Sequence, residues 1–358
     1  MAEDGWKVRA FNDEDFQQVS RLRELFTDDS SGRRSSEPSY YRWKFLTNPV
    51  QRGLLYVAED QQQIIGMLSI TPKRVYLNGN FRMGAELGDG FVNPSYHRRG
   101  IFSSLLNVTR KTALEQGIDF IYGTPNEMAL PAEKRAGYAV IPTAYVYNLV
   151  RPLNIGAILE AKFGSAILAK TLGPFADSIF RGFYGAGSSK LEIQGMNFEL
   201  ASTFPDDIYT LWERASLNYD LILERSKQYL EWRYIRNPDS YSIWLAQTGQ
   251  KSSGYLITKL GTWRHLKIGF LADFLIEEHQ PEIFTQLILR ALSSFSEEKV
   301  DMVAAWAVRG SFYYKILKRF GFKHYKAVPI ICYKNDLGNK IINSRWKWHF
   351  TMADSDNI

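Results

Sequence analysis

"YYRWKFLTNP", residues 40–49, returns as "YLEWRYIRNP", residues 229–238. Tyrosine, tryptophan, a cation, an aromatic, an aliphatic, asparagine and proline keep register at an offset of 229 − 40 = 189. The agreement extends outward on both sides. "YVAEDQQQIIGML" is answered by "WLAQTGQKSSGYL", with Gly66 against Gly254, and "LGDGFV" by "LADFLI", with Asp89 against Asp273. "HRRGIFSSLL" is answered by "HQPEIFTQLI", with His97 against His279, and "KRAGY" by "KRFGF", with Gly137 against Gly321. The offset drifts only to 182 and 184, which a few loop deletions explain. Ordered self-similarity of this length means a duplicated unit. The reading is two homologous domains in tandem: 1–150, a linker 151–189, 190–335, and a tail 336–358.

Bulk composition agrees. The 358 residues exceed one comfortable core, and 45% hydrophobic with 23% charged residues is a globular balance. A net charge of +6 without any concentrated basic run admits an anionic ligand but does not mark a nucleic-acid binder. The single cysteine, Cys332, in the apolar run "VPIICY", is expected to be an inert buried thiol, and it excludes a disulfide framework or a cysteine-rich metal site. No basic-then-apolar leader opens the chain and no uncharged run reaches a membrane span, so a cytoplasmic location is expected.

Each copy reads as a strand ("WKVRAF"; "KLEIQG"), an acid-led helix, a Tyr-x-x-Trp helical element halted at Asn-Pro, two strands, a third strand entering a helix, and further strands. Ile101, Phe102, Leu105, Leu106, Thr109 and Ala113 give that helix one apolar face. The linker is apolar and weakly basic, and two interdomain helices are its expected form. A membrane-surface contact through 151–185 is the lesser alternative.

The corner "FVNPSYHRRGIFSSLL", residues 91–106, carries the chemistry. A strand that turns through a glycine into a helix aims several backbone N–H groups at one point, and the helix dipole favours an anion there. Arg98 and Arg99 add positive field, and Gly100 permits close backbone approach. Neither GxxxxGK[ST] nor GxGxxG is present.

The run Val92-x-Pro94-x-x-His97-Arg98-Arg99-Gly100-Ile101 resembles the coenzyme-binding motif of the GNAT acyl-CoA-dependent acetyltransferase superfamily, usually written Arg/Gln-x-x-Gly-x-Gly/Ala. The resemblance covers nearly the whole chain and is nearest to tandem members, distantly including the enhanced-intracellular-survival group without its third domain. It implies a mixed α/β fold made of two tandem GNAT units. It also implies acetyl-CoA as co-substrate with no metal, and transfer to the amine of an unidentified small molecule; a cleft lined with Trp43, Trp232 and tyrosines could take an amino sugar or another ring-bearing amine. Val92, His97, Arg98, Arg99, Gly100, Ile101 and Phe102 would hold the coenzyme, with Asn126 at its pantetheine arm or capping a helix. Two departures stand out: His97 replaces Arg or Gln, and the bulky Phe102 replaces Gly or Ala. A non-catalytic acyl-CoA-binding or protein-interaction module is the alternative.

By the same resemblance, Glu86 is a candidate general base. Strand alternation puts Glu86, Gly88 and Gly90 on one face and Leu87, Asp89 and Phe91 on the other. Asp89 recurs as Asp273, which suits a structural role. The family's tyrosine acid is missing, because Glu133 stands four residues before Gly137; Tyr122 and Tyr138 are the substitutes. In the second copy Gln280, Pro281 and Glu282 replace both arginines and the glycine, so that copy is expected to bind no coenzyme. The basic-aromatic, then acidic, tail "SRWKWHFTMADSDNI" is expected to be a solvated end. Trp43 and Trp232 are expected in the core.

Overall fold

The structure, a computed structural model, describes residues 5–26, 37–164, 170, 171, 173, 174, 178, 193–277 and 280–355. Most of the linker, His279 and the last three residues lie outside these. The strands in chain order are β1 (Trp6–Ala10), β2 (Leu54–Asp60), β3 (Gln63–Leu77), β4 (Asn80–Val92), β5 (Phe120–Gly123), β6 (Tyr138–Val140) and β7 (Val146–Pro152). They continue with β8 (Met196–Ala201), β9 (Leu221–Leu223), β10 (Ser242–Thr248), β11 (Lys251–Trp263), β12 (Leu266–Ile276), β13 (Met302–Val308), β14 (Lys323–Val328) and β15 (Ile331–Tyr333). One sheet has the order β1-β2-β3-β4-β5-β15-β6, with β9 alongside β3; the other has β14-β7-β13-β12-β11-β10-β8. β4/β5 and β12/β13 are the parallel pairs in otherwise antiparallel sheets.

Each half gives a strand to the other. β7, from the first half, lies between β13 and β14, while β15, from the second, lies between β5 and β6. The boundary drawn at residue 150 therefore falls inside a strand of the second sheet. Neither sheet is built from one contiguous stretch of chain. Cys332 sits on β15, fully buried, and burial pushes its thiol up to about 12.

Helices α1 (Phe16–Glu24) and α2 (Pro38–Tyr41) precede β2, and α2 opens the first of the repeated Tyr-x-x-Trp elements, which meet at the centre. Both begin as one α-turn, Pro38–Tyr41 and Lys227–Leu230, and widen into a π-turn, Arg42–Leu46 and Glu231–Ile235. The widening rotates the two tryptophans onto each other, with ring centroids 4.8 Å apart and planes at 19°. Trp43 Nε1 donates to the Trp232 carbonyl at 2.7 Å, and Trp232 Nε1 donates to the Trp43 carbonyl at 3.1 Å. Reciprocal bonds between equivalent atoms define a two-fold relation between the halves. Tyr40 and Tyr229 complete this small core.

The helix after each third strand also packs alike. α3 (Ile101–Glu115) sets Ile101 Cγ2 3.1 Å from where a Cβ at Gly66 would stand; in Pro281–Glu297, Ile283 Cγ2 stands 3.2 Å from that point at Gly254. One expected element moves: "KLEIQG" is no strand over its described residues. Gly195, at φ +76°, ends a turn, and β8 begins at Met196.

Trp232→Ala removes a buried ring together with its hydrogen bond. It should cost about 3–5 kcal/mol in urea denaturation, whereas Trp232→Phe, which keeps a ring for the stack, should cost about half as much or less.

Candidate active site

β4 and β5 pair from Gly84/Phe120 to Leu87/Gly123, and then β5 stops while β4 runs on to Val92. A gap opens there between the strands. Beside it β4 bulges: Gly88 opposes Ser69 and Phe91 opposes Met67, so Asp89 and Gly90 share one partner position. Asp89 takes φ +46°. This bulge overturns the face assignment made by simple alternation. Asp89 turns to the same face as Glu86, where its carboxylate meets Ser69 Oγ (3.0 Å), Arg23 Nη1 (2.6 Å) and Lys44 Nζ (2.5 Å). Gly90 turns to the α3 face instead.

Gly100 at φ +79° and Arg98 at φ +65° lead directly into α3. No side chain caps this helix, so the first-turn amides of Ile101, Phe102 and Ser103 lack intrahelical acceptors. Left-handed backbone at Gly100 is the local requirement, since a Cβ there would meet nothing within 4 Å. His97 bends back to donate from Nε2 to the Val92 carbonyl at 2.9 Å, which holds the loop against the strand end. The Arg99 guanidinium lies over the Tyr96 ring at 4.9 Å. Ile101 is core. Phe102 lays its ring on Gly90, where any Cβ would stand 2.8 Å from its Cε2, so its bulk is absorbed by the strand and not by the loop. Asn126 Oδ1 accepts from the amides of Met128 and Ala129, leading into α4 (Leu130–Arg135).

The second sheet has the same gap, and it is filled. Ladder alternation there points the Phe274 carbonyl and the Ile276 amide away from β11. His349 Nε2 donates to the former at 3.0 Å, and the Tyr313 hydroxyl accepts from the latter at 3.0 Å. The equivalent groups in the first gap are the Gly90 carbonyl and the Val92 amide, and no group among the described residues meets them. Where the second copy has Tyr313, the first has Ala129, at the offset of 184 found for the Gly137 pair.

Of the catalytic candidates, Glu86 and Tyr122 stand opposite each other in the β4/β5 ladder and share a face toward the second half. Glu86 is 2% exposed, with Lys73 Nζ 3.8 Å from Oε2 and Lys73 in turn 3.4 Å from the Tyr229 hydroxyl. Tyr122 donates its hydroxyl to the Asp354 carbonyl at 2.8 Å. Tyr138 is not brought to them. It lies on the other face, among Leu106 and Ile331, and burial raises its pKa with no hydrogen-bond partner for the hydroxyl.

Sequence reasoning passed over Glu133, which holds the position of the missing tyrosine. It is 5% exposed on α4, its Oε2 has no partner, and desolvation raises its carboxyl to about 7. Its position was legible in the sequence; its burial was not.

The tail is not a solvated end as far as Ser355. Trp348, His349, Phe350, Met352 and Asp354 are all buried. Arg225 binds Asp354 at 2.7 Å and Asp273 at 3.1 Å, and Tyr234, Tyr255 and Thr351 also hydrogen-bond Asp273. The tail then crosses to the first half, where Ser355 Oγ meets Thr124 Oγ1 at 2.8 Å and its carbonyl accepts from Arg233 at 3.2 Å. Packing against the second gap, not composition, decides where this segment lies.

Among the described residues no cluster of three or more His, Cys, Asp or Glu could hold a metal, and no helix is long and apolar enough to cross a membrane.

Residues 7–141 match the family model described as Acetyltransferase (GNAT) domain. No curated protein matches the chain in sequence. Among solved structures, the chain is similar to a GCN5-related N-acetyltransferase from Anabaena variabilis, with 14% identity and TM-score 0.61 over 91% of this chain and 72% of that one. It is similar to Saccharomyces cerevisiae N-myristoyltransferase with bound myristoyl-CoA, with 13% identity and TM-score 0.65 over 93% and 80%. A tandem GNAT protein from the clavulanic acid biosynthesis pathway is similar at 13% identity and TM-score 0.60, over 91% of this chain and 98% of that one. At such identities the likeness is one of fold, and the fold is two tandem GNAT units.

Removing the shared cation tests the tail's anchor. In Arg225→Met two buried carboxylates lose their counter-charge, so urea titration at pH 7 should show a loss of about 3–5 kcal/mol. The loss should shrink as the pH is lowered, since burial raises the Asp354 pKa and a protonated carboxyl needs no counter-charge.

Proposed function

We propose, from the premise that residues 7–141 are an acetyltransferase domain of the GNAT family, that the chain moves the acetyl group of acetyl-CoA to the amine of a small molecule. The single observation that carries this reading is the difference between the two gaps. The same strand groups are answered by Tyr313 and His349 in the second copy and left unanswered in the first. An extended amide-bearing chain such as pantetheine would bond the Gly90 carbonyl and the Val92 amide as a strand would. Its pyrophosphate would lie on the first-turn amides of α3, with Arg98 and Arg99 adding charge. A reducing cytoplasm, the setting of a coenzyme-A thioester, suits a chain whose one thiol is buried.

Transfer forms an amide C–N bond at the thioester carbonyl and breaks the C–S bond. The attacking amine gives up a proton, and Glu86 accepts it, directly or through one water, with the Lys73 ammonium beside it to steady the carboxylate. The departing thiolate takes a proton in turn. Tyr122 is committed to Asp354, and Glu133 holds the family's tyrosine position on the helix that follows β5, so the proton-donor role is assigned to Glu133. A carboxyl near 7 still holds a proton at neutral pH, as a general acid must. The acceptor is a small amine, and amino sugars form the first class to try.

Two measurements test this. Calorimetric titration with acetyl-CoA should show binding to the native chain and at least about tenfold weaker binding to Gly100→Glu, which puts a strained backbone and a like charge at the loop. Equal binding would remove the loop assignment. For Glu133, turnover should fall as pH rises through about 7, and Glu133→Gln should lose that limb together with most of the rate. The stability sign runs with it. The unfolded carboxyl ionises near 4.5 and the folded one near 7, so native stability declines across that window by up to about 3 kcal/mol. Glu133→Gln should therefore gain on the native chain between pH 5 and pH 7.5 in thermal denaturation.

A further inference from the structure

One end of the second sheet is unlike the matching end of the first. In the first sheet the β3–β4 hairpin is roofed by the other half: β9 pairs with Val75, Tyr76 and Leu77, and Trp212 stacks on Phe81 at 5.7 Å. In the second sheet the matching β11–β12 hairpin has no such roof among the described residues. Trp263 is 39% exposed and Tyr325 on the edge strand β14 is 55% exposed, with their ring centroids 6.3 Å apart. The Arg264 guanidinium lies over Trp263 at 5.1 Å.

The helix that leaves β7, α5 (Ile155–Phe163), emerges at the same end. Asn154 bonds Asp301, whose other carboxylate oxygen accepts from the Lys267 amide beside the turn of this hairpin. α5 ends in Lys162 and an exposed Phe163, the ammonium 5.3 Å from the ring centroid. Two exposed rings thus touch at the hairpin, one of them under its own cation, and a third exposed ring closes α5 beside its own lysine. Arg319 closes the helix Phe312–Arg319 that precedes β14, and Lys323 and Lys326 lie exposed on β14 itself. The acids bonded at this junction are Asp301, held by Asn154 and the Lys267 amide, and Glu298, tied to Lys267 at 2.8 Å.

We infer that this end of the second sheet docks on an anionic lipid surface. Trp263, Tyr325 and Phe163 enter the headgroup layer, and Arg264, Lys162 and Lys326 meet lipid phosphates. Aromatic rings with a cation at the rim suit an interface that is apolar below and anionic above. A protein groove would cover the rings but has no need of a cation beside each, and nucleic acid would want a continuous basic track in place of a projecting aromatic tip. α5 beside the hairpin adds apolar surface in the same layer. The inference concerns where the enzyme sits and is independent of the transfer chemistry.

Flotation of the full chain with vesicles tests it. Native protein should rise with phosphatidylcholine vesicles containing about 30% phosphatidylglycerol and stay down with phosphatidylcholine alone. Trp263→Glu/Tyr325→Glu should float about tenfold less, and Arg264→Glu/Lys326→Glu, which removes no packed ring, should lose flotation as well. Leu217→Glu, at a residue 75% exposed elsewhere, should float as native does. Circular dichroism and acetyl-CoA titration show whether each variant is folded. The inference falls if native protein stays down with anionic vesicles, if it floats equally on neutral ones, or if Arg264→Glu/Lys326→Glu floats as native does. Retention on single-stranded RNA without flotation would also overturn it.

Discussion

Two tryptophans, each donating to the other's carbonyl across a stacked pair of rings, are the constraint on which the rest of the molecule hangs. Trp43 and Trp232 are equivalent residues, so the contact is made twice by one design, and a buried indole N–H left without its acceptor would be costly. The contact holds the two halves against each other at a fixed register. That register in turn allows β7 and β15 to trade places, because each leaves its own half where the other sheet has a vacant position between two strands. The halves are thereby tied at their centre by packing and at their ends by backbone ladders.

Against this near-symmetry, the two gaps diverge. Duplication supplied both halves with a parallel pair that parts, a bulge carrying a buried aspartate, and a helix whose first turn faces the opening. In the second half Asp273 draws Arg225, Tyr234, Tyr255 and Thr351 around itself, and the tail folds over them. His349 is held neutral by burial beside Arg225, its pKa lowered to about 3, which suits an imidazole that donates from Nε2 to a strand carbonyl. Asp89 does the corresponding structural work in the first half with Arg23 and Lys44, and no tail follows it there. The second copy has become a closed core, and the first retains an edge.

Much of this was legible in the residues. The repeat declared itself through Tyr40, Trp43, Asn48 and Pro49 and their echoes, since side chains that make the same contact twice stay recognisable. The corner at His97 to Ile101 was legible because backbone geometry dictates its glycine. What could not be read were the features set by long-range partners. A bulge inserts one residue and flips Asp89 across the sheet, and no periodicity announces it. Strand exchange leaves no local mark, as β7 and β15 look alike whichever sheet they join. Glu133 carries the same letter whether solvated or buried, and only the helix packing around it raises its carboxyl to about 7.

The tail ties these threads together. A basic-aromatic segment ending in acids would be solvated if composition decided its place, but partners decide it. Trp348, His349 and Phe350 fill the second gap; Asp354 then joins Asp273 on the Arg225 guanidinium; and the chain, so anchored, emerges beside Tyr122 and Thr124 at the end of β5. The closure of one gap thus shapes the rim of the other. The second copy shapes the first all the same, because it positions the segment that lies along the end of the first copy's β5.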